Sequence, residues 1–271
     1  MEREADKLAA QIMDSSRYGH ISHETVKRIC LEYLPRYKNQ KEAVKAVKKQ
    51  LHIIHGAFFP DRCHAKALEL IGDSRYTDRD LSLKLMELHP STKERLPSLE
   101  AFYALLAPYI NGARTVLDIG CGFHPCVFPF MGLQSSVLYR AGDIDHGTAA
   151  VVRAFFQKLH ITCDVRILDA AREIPDEEAD VAFLFKLIPV LEQQKKGLAY
   201  RLIQGIRAKT IIATFPTRSL SGREKDMVQF YSGQFEQNLP EGFSILRKEA
   251  VGTELVYIVF PKAPGASTFE S

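Results

Sequence analysis

The sequence predicts an α/β protein in which a helical segment precedes a seven-stranded, doubly wound sheet. Three observations lead to this prediction. The first hundred residues carry apolar side chains at helical spacing, and no stretch of them alternates as a strand does. Seven short apolar or β-branched runs follow after about residue 100. Most of these runs are separated by enough residues for a crossover helix, which parallel strands require.

The helical segment contains three predicted helices. His23–Leu34 has an apolar face and ends before Pro35, a residue that cannot continue a helix. Glu42–His55 has apolar residues on one side and lysines on the other. Leu81–Leu88 is the third. We assign residues 1–100 to a helical N-terminal domain.

The seven runs predict the strands of the second domain, residues 101–262. Only about eight residues separate the last two runs, which favours a closing antiparallel hairpin. The tail, residues 263–271, is rich in small and turn-forming residues and is predicted to be disordered. The predicted strands are Thr115–Ile119, Val137–Ile144, Asp164–Leu168, Val181–Phe185, Thr210–Phe215, Phe243–Leu246 and Leu255–Phe260.

The composition is that of an ordinary globular protein. With 46% hydrophobic and 25% charged residues, the 271-residue chain fits neither a disordered protein nor a fibre. No apolar run approaches the ~20 residues needed to span a bilayer, and the first residues lack a secretory signal. Five cysteines fit a reducing compartment. We therefore expect a cytoplasmic protein that does not bind membranes.

The net charge of +3 comes from the first hundred residues, which have 18 Lys and Arg against 15 Asp and Glu. The remaining residues have 18 of each. The positive charge is densest between Arg36 and Lys49, where the only acid is Glu42. Such a cluster attracts phosphates, although the solvated face of an ordinary helix has the same pattern. The candidate phosphate-binding residues are Lys41, Lys45, Lys48 and Lys49.

A glycine-rich turn follows the first predicted strand. The strand ends in Asp118-Ile-Gly120-Cys-Gly122, and glycines at this position let the backbone approach a ligand closely. A dinucleotide-binding turn has a third glycine where this chain has Pro125, so NAD and FAD fit poorly. The pattern resembles motif I of class I S-adenosylmethionine (SAM) methyltransferases. A purely structural glycine turn is the alternative.

Acidic residues end the next two strands. Asp143 lies 25 residues after Asp118, at a position where a carboxylate accepts hydrogen bonds from ribose hydroxyls. Asp145 competes for this role but falls past the predicted strand end. Asp169, which ends the third strand beside Ala170, is a candidate acceptor for the adenine amino group. Each acid has a turn or a helix cap as its alternative role.

The segment from His89 to Leu96 contains a capping-box pattern, with Ser91 as the N-cap and Glu94 three residues later. The free N–H groups at a helix start favour a carboxylate ligand. Arg95 is therefore a candidate to bind the methionine carboxylate of SAM through two hydrogen bonds. Purely structural capping is the alternative.

Six strings together resemble the aminoglycoside-resistance 16S rRNA (guanine(1405)-N7)-methyltransferase family. They are STKERL (91–96), VLDIGCG (116–122), GDIDHG (142–147), FLFKLIPVLE (183–192), FPTRSLSGR (215–223) and ELVYI (254–258). The resemblance implies a helical rRNA-binding domain before a Rossmann-like SAM domain. The implied SAM contacts are Phe58, His89, Pro90, Ser91, Arg95, Gly120, Asp143, Asp169, Ala170, Phe185 and Gln194.

The resemblance implies methylation of N7 of guanine 1405 in the decoding-site helix of the 30S subunit. We expect one monomer to act on each subunit. Guanine N7 carries an in-plane lone pair, so no general base is expected. Alternatives are methylation of N1 of adenine 1408 and a catalytically silent SAM- or RNA-binding protein. The intact acids and glycines of the turn argue against a silent protein.

Three further residues are candidates to contact the substrate. Lys186 follows the fourth strand and is placed to bind a phosphate or guanine O6, with a salt-bridged structural lysine as the alternative. Arg218 and Arg223 lie on the loop after the fifth strand and suit rRNA phosphates. Cys121 and Cys126 lie in the glycine turn with no second ligand pair nearby, so no metal site is predicted.

Overall fold

The computed structural model describes residues 1–14, 17–56, 60, 62–217 and 225–262. Before the sheet, the chain forms a series of helices joined by short turns. The turn of residues 34–36 is a 3₁₀ turn, and residues 52–56 form a π-helical turn. These helices are α1 (Glu2–Met13), α2 (His23–Tyr33), α3 (Gln40–Leu51), α4 (Cys63–Gly72), α5 (Asp78–Leu88), α6 (Pro90–Lys93) and α7 (Leu99–Ile110).

All three predicted helices are present, with shifted ends. Ser22 caps α2, because its side chain accepts a hydrogen bond from the backbone N–H of Thr25. Thr77 caps α5 in the same way, so this helix begins three residues before its predicted start at Leu81. The predicted helix Glu42–His55 ends at Leu51 as α3, and its last residues form the π-helical turn.

A seven-stranded sheet follows, with the order β3-β2-β1-β4-β5-β7-β6, which confirms the predicted fold class. The first five strands are parallel, and β7 lies antiparallel between β5 and β6. The strands are β1 (Thr115–Ile119), β2 (Leu138–Asp143), β3 (Cys163–Ile167), β4 (Ala179–Phe185), β5 (Ala208–Pro216), β6 (Phe243–Val251) and β7 (Glu254–Pro261). The helices between them are α8 (His146–Lys158), α9 (Leu187–Gln194), α10 (Leu198–Gly205) and α11 (Lys225–Asn238).

The closing hairpin is tighter than the sequence predicts, because β6 continues to Val251 and leaves only two residues before β7. The end of β6 escaped prediction because it is an exposed edge strand whose later residues are charged. Gly252 forms the turn with a φ of +57°. A side chain at this glycine would collide with Ser98, so the turn packs closely against the segment before α7.

Apolar side chains form three clusters. One face of the sheet packs against α4, α5, α7 and α8, and the opposite face packs against α9, α10 and α11. The third cluster joins α1, α2, α3 and the π-helical turn. We call residues 1–56 the N-terminal unit. The domain boundary at residue 100 stays a prediction. None of the described helices is both long and apolar enough to cross a membrane.

Asp145 holds the N-terminal unit against the sheet. Its carboxylate is fully buried and accepts hydrogen bonds from His55 Nε2 at 2.6 Å and from the Thr148 backbone N–H at 2.6 Å. His64 Nε2 lies 3.0 Å from its other oxygen. Burial alone raises the pKa of Asp145, but the bonds from His55 and His64 outweigh burial and hold it well below its ordinary value.

We predict that Asp145→Ala lowers the free energy of unfolding by about 2–4 kcal/mol, because it removes a helix cap and leaves two buried histidines without their acceptor. Because the pKa of Asp145 is depressed, this stabilisation is present above its ordinary pKa of 3.8 and is lost as the pH falls below it. Denaturant unfolding at pH 7 measures the effect. The exposed Asp164→Ala is the control, and an equal loss in both variants would contradict this role.

Candidate active site

One cavity gathers nearly all the residues that the sequence predicts to bind a cofactor. It lies at the carboxyl ends of β1, β2 and β4, where the strand order reverses and ligands bind in sheets of this kind. Pro90 does not line it, and Phe58 lies outside the described residues. The predicted residues that line the cavity are His89, Ser91, Arg95, Gly120, Asp143, Asp169, Ala170, Phe185, Lys186 and Gln194.

The glycine turn forms one wall of the cavity. Gly120 and Gly122 have φ values of +62° and +49°, a region that favours glycine. A Cβ atom on Gly120 would lie 2.8 Å from Leu187 Cδ1, so the backbone passes close to α9. The Gly122 N–H donates to Asp143 Oδ2 at 2.9 Å. The turn is thus fixed to the end of β2.

Asp118 supports the turn from beneath and does not itself line the cavity. Its buried Oδ2 accepts hydrogen bonds from Tyr139 Oη at 2.8 Å and from His124 Nδ1 at 2.7 Å. His124 Nε2 lies 2.8 Å from Tyr103 Oη. Burial lowers the pKa of His124 despite the adjacent Asp118. His124 is therefore neutral at pH 7 and connects Asp118 to Tyr103.

The structure distinguishes the two acids at the carboxyl end of β2. Asp143 lines the cavity, whereas Asp145 caps α8 and bonds to the histidines. Asp143 accepts hydrogen bonds from Gly122 and, at 3.1 Å, from the backbone N–H of Asp145. Burial, and then the charge of Asp145, raise the pKa of Asp143 to about 6. Asp143 is therefore the carboxylate available to a ligand.

Asp169 lies two residues beyond the end of β3 and has a partner that the sequence analysis missed. Arg28 of α2 donates from Nε to Asp169 Oδ2 at 2.8 Å and from Nη2 to Gln194 Oε1 at 2.8 Å. The Ala171 N–H donates to Asp169 Oδ1 at 3.0 Å. Arg28 lies 141 residues from Asp169 along the chain, so no local pattern could reveal the pair.

The predicted capping box is wrong. The short helix α6 begins at Pro90, and His89 occupies the N-cap position without a side-chain cap. Proline is favoured at the first position of a helix because its φ is already helical and its missing N–H is not needed there. Glu94 does not close a box, because its carboxylate accepts a hydrogen bond from Lys186 Nζ at 2.7 Å.

Arg95 is buried, but its paired donors already have an acceptor. Nε and Nη2 donate to the two carboxylate oxygens of Glu254 at 2.8 and 2.9 Å. The guanidinium carbon lies 4.3 Å from the ring centre of Phe102 and 4.9 Å from that of Phe185. The expected two-bond contact of Arg95 with a ligand carboxylate stays a prediction, because Glu254 leaves Nη1 and the second N–H of Nη2 unused. Nη1 is buried and has no hydrogen-bond partner among the described residues.

Lys186 lines the cavity as an ion-paired side chain. It lies between β4 and α9 in the left-handed region, with a φ of +55°. Besides its bond to Glu94, its Nζ lies 3.9 Å from Glu254 Oε1. Lys186 is thus salt-bridged, as the alternative interpretation of the sequence expects. Because it also lines the cavity, it stays a candidate for substrate contact.

The candidate phosphate-binding residues of α3 share one exposed face. Its opposite face carries the buried residues Ala43, Val47 and Leu51. None of the four lysines forms a salt bridge with a carboxylate in the described part of the chain. Arg218 and Arg223 lie outside that part. These four lysines are Lys41, Lys45, Lys48 and Lys49.

The cysteines do not form a metal centre within the described ranges, where no cluster of His, Cys, Asp and Glu is arranged to hold a metal ion. Cys121 and Cys126 are both buried as free thiols. Burial raises the pKa of each thiol above its ordinary value. Neither is therefore poised for nucleophilic chemistry.

The sheet order, the antiparallel β7, the glycine turn and the acid at the end of β2 define a class I SAM-dependent methyltransferase. The buried Arg95 nitrogen and the cavity-facing Asp143 fit the charged and hydroxyl groups of this cofactor. The chain matches the family model "Ribosomal RNA methyltransferase (FmrO)" over residues 14–258. The protein belongs to this family.

Similar proteins agree with this assignment. A 16S rRNA (guanine(1405)-N(7))-methyltransferase of Frankia casuarinae is 33% identical over 95% of this chain and 94% of its own. One of the same name from Serratia marcescens is 35% identical over 92% of this chain and 95% of its own. The crystal structure of 16S rRNA methyltransferase RmtF in complex with S-adenosyl-L-homocysteine (SAH) is 34% identical, with a TM-score of 0.86, and the match covers 97% of this chain and all of RmtF.

We predict that SAH binding weakens as the pH falls through about 6, the raised pKa of Asp143. Ribose hydroxyls donate to the ionised carboxylate, so protonation competes with binding and lowers affinity by up to about tenfold per pH unit below 6. The stability of the ligand-free protein depends on pH in the opposite direction. Above pH 6 the buried charge of Asp143 lowers the free energy of unfolding, and this loss disappears as the pH falls toward 3.8.

Calorimetric titrations between pH 5 and pH 8 measure this dependence. Asp143→Asn removes the titrating group, so its SAH affinity is lower at pH 8 and nearly independent of pH. An unchanged pH profile in Asp143→Asn would contradict the ribose role of Asp143.

Proposed function

We propose that this protein transfers a methyl group from SAM to N7 of guanine 1405 in 16S rRNA of the 30S subunit. Two findings support this function. The relatives that carry this activity in their names match the chain over nearly its whole length. The residues predicted as cofactor contacts also converge on one cavity, and this convergence is the observation that carries the proposal.

Within the cavity we assign a ligand group to each of three charged residues. Arg95 Nη1 binds the methionine carboxylate, because it is a buried donor whose neighbours on the same guanidinium are held by Glu254. Asp143 accepts from the ribose hydroxyls, and Asp169 accepts from the adenine amino group. When bound, SAM supplies an electrophilic methyl group on a sulfonium.

The chain's own residues have to orient the guanine rather than deprotonate it. N7 has an in-plane lone pair, so alignment with the methyl group is the main requirement, and orientation alone contributes several kcal/mol. Lys186 is assigned to guanine O6 or to a neighbouring phosphate. Its ion pair with Glu94 restrains its ammonium group at the cavity wall and partly offsets its charge, which would otherwise oppose a positively charged product.

The target guanine must leave its helix to reach the cavity, because a stacked and paired base presents N7 only in a groove. We therefore include base flipping in the proposal. The helical N-terminal domain, residues 1–100, docks on the 30S subunit through the exposed lysine face of α3, and Arg218 and Arg223 contact rRNA near the target. Such contacts set position and affinity without reading sequence.

The methylated guanine has a consequence for drug binding to the ribosome. A methyl group on N7 adds bulk and positive charge at the decoding site where aminoglycosides bind, so we propose that the modification confers resistance to these drugs. We propose that the protein acts as a monomer. Because its substrate is the 30S subunit, we place it in the cytoplasm.

Incubation with 30S subunits and labelled SAM tests the function. We expect label in 16S rRNA, with the modified nucleotide mapped as 7-methylguanine at position 1405. Label at N1 of adenine 1408 would instead identify the neighbouring modification. Absence of transfer from a protein that binds SAH would identify a silent binding protein. Either result would overturn the proposal.

We predict that the triple variant Lys41→Glu, Lys45→Glu and Lys48→Glu binds 30S subunits at least about tenfold more weakly. Each lost phosphate contact also reduces the slope of log affinity against log salt concentration by somewhat less than one. SAH affinity stays unchanged, since α3 does not line the cavity. Filter binding of 30S subunits at several salt concentrations measures the 30S affinity and its salt dependence, and calorimetry measures the SAH affinity.

The control reverses three exposed charges elsewhere, at Lys66, Arg114 and Lys262. A general effect of net charge would weaken 30S binding equally in both triple variants. That result would contradict a specific role for the face of α3.

A further inference from the structure

The N-terminal unit reaches into the cofactor cavity through one face of α2. Thr25 and Arg28 are one helical turn apart and both line the cavity. The neighbouring residues Val26, Ile29 and Cys30 of α2 belong to the apolar cluster of the N-terminal unit. The helix is therefore packed within the unit and also forms part of the cavity wall.

Arg28 connects Asp169, the proposed acceptor for the adenine amino group, to Gln194, which also lines the cavity. It reaches Asp169 Oδ2 through Nε at 2.8 Å and Gln194 Oε1 through Nη2 at 2.8 Å. Its Nη2 also lies 3.4 Å from Asp169 Oδ1. The side chains of Arg28 and Asp169 are only 23% and 11% exposed, so solvent screens this pair less than a surface pair.

These bonds fix the orientation of both acceptors. Asp169 is held from one side by Arg28 and from the other by the Ala171 N–H. The amide of Gln194 accepts from Arg28 and donates from Nε2 to the Val190 carbonyl at 3.3 Å. A carboxylate has about four lone-pair positions, so Asp169 keeps acceptor capacity toward the cavity.

We propose that Arg28 is a positioning residue of the adenine subsite, and that it makes cofactor binding and attachment of the N-terminal unit depend on each other. Arg28 acts through Asp169 and Gln194 rather than on the reacting atoms. This inference rests on the proposed assignment of adenine to Asp169. It adds a residue of the rRNA-binding segment to the cofactor site.

Mutual dependence follows from thermodynamic linkage. If the Arg28 contacts improve the adenine subsite, bound cofactor must stabilise the same contacts by an equal amount of free energy. Cofactor would then hold α2 against the sheet more firmly. The protein would present a better-ordered helical unit to rRNA when a methyl donor is in place.

A double-mutant cycle tests whether Arg28 acts through Asp169. SAH dissociation constants are measured by calorimetry for the wild type, Arg28→Met, Asp169→Asn and the double variant. We expect Arg28→Met to weaken binding about tenfold in the wild-type background and less than about twofold in the Asp169→Asn background. Arg28→Lys should recover part of the loss, because one ammonium group keeps the charge but cannot reach both acceptors as the fork does.

Arg36→Met is the matched control, because Arg36 is an exposed arginine of the same unit that pairs with Glu32. It should leave SAH affinity unchanged. Unchanged or tighter SAH binding in Arg28→Met would overturn the proposal, since tighter binding would mean that Arg28 competes with adenine. An equal loss in both Asp169 backgrounds would overturn it as well.

Hydrogen exchange of α2 is a second test of the coupling between cofactor binding and the N-terminal unit. It serves as the deciding test if Asp169→Asn binds SAH too weakly for the cycle. SAH should slow amide exchange in α2 of the wild type and not in Arg28→Met. Equal protection in both proteins would reject the coupling. Neither measurement uses 30S subunits, so a failure of methyl transfer to guanine 1405 is distinguishable from a failure of this inference.

Discussion

The buried carboxylate of Asp145 is the interaction on which the rest of the structure depends. It caps α8, it accepts from a histidine of the N-terminal unit, and its backbone N–H orients Asp143 two residues earlier. One short segment at the end of β2 therefore attaches the helical unit and places Asp143 in the cavity wall. A carboxylate so deeply buried is stable only because its partners are in place, which couples the assembly of the two parts.

A second constraint is the alternation of charge across the cavity. Arg95 is held by Glu254, and Lys186 lies between Glu254 and Glu94. Each of these four charges thus has an opposite neighbour, which offsets the cost of removing it from water. The remaining Arg95 nitrogen, Nη1, is the one that we assign to a ligand carboxylate. The site is pre-organised by its own ion pairs rather than by the cofactor.

Much of this could be predicted from the sequence because the relevant signals are local. All seven strands appeared as short apolar runs, and Asp143 and Asp169 were found because acids at strand ends meet at one edge of a parallel sheet. Contacts between distant segments left no such signal, which is why Arg28 was missed and Glu254 was given no role. The capping box failed because Pro90 started the helix and a distant lysine took Glu94.

The tight turn at Gly252 has a consequence for how this fold tolerates change. Surface hairpins are usually the places where chains accept added residues most easily. Here the turn is wedged against Ser98, three residues after Arg95, and β7 begins with Glu254, which holds that arginine. Lengthening the loop would therefore disturb the cavity itself. We therefore expect length differences among related chains to occur in other surface loops. An engineered tag or inserted domain should likewise be placed elsewhere on the surface.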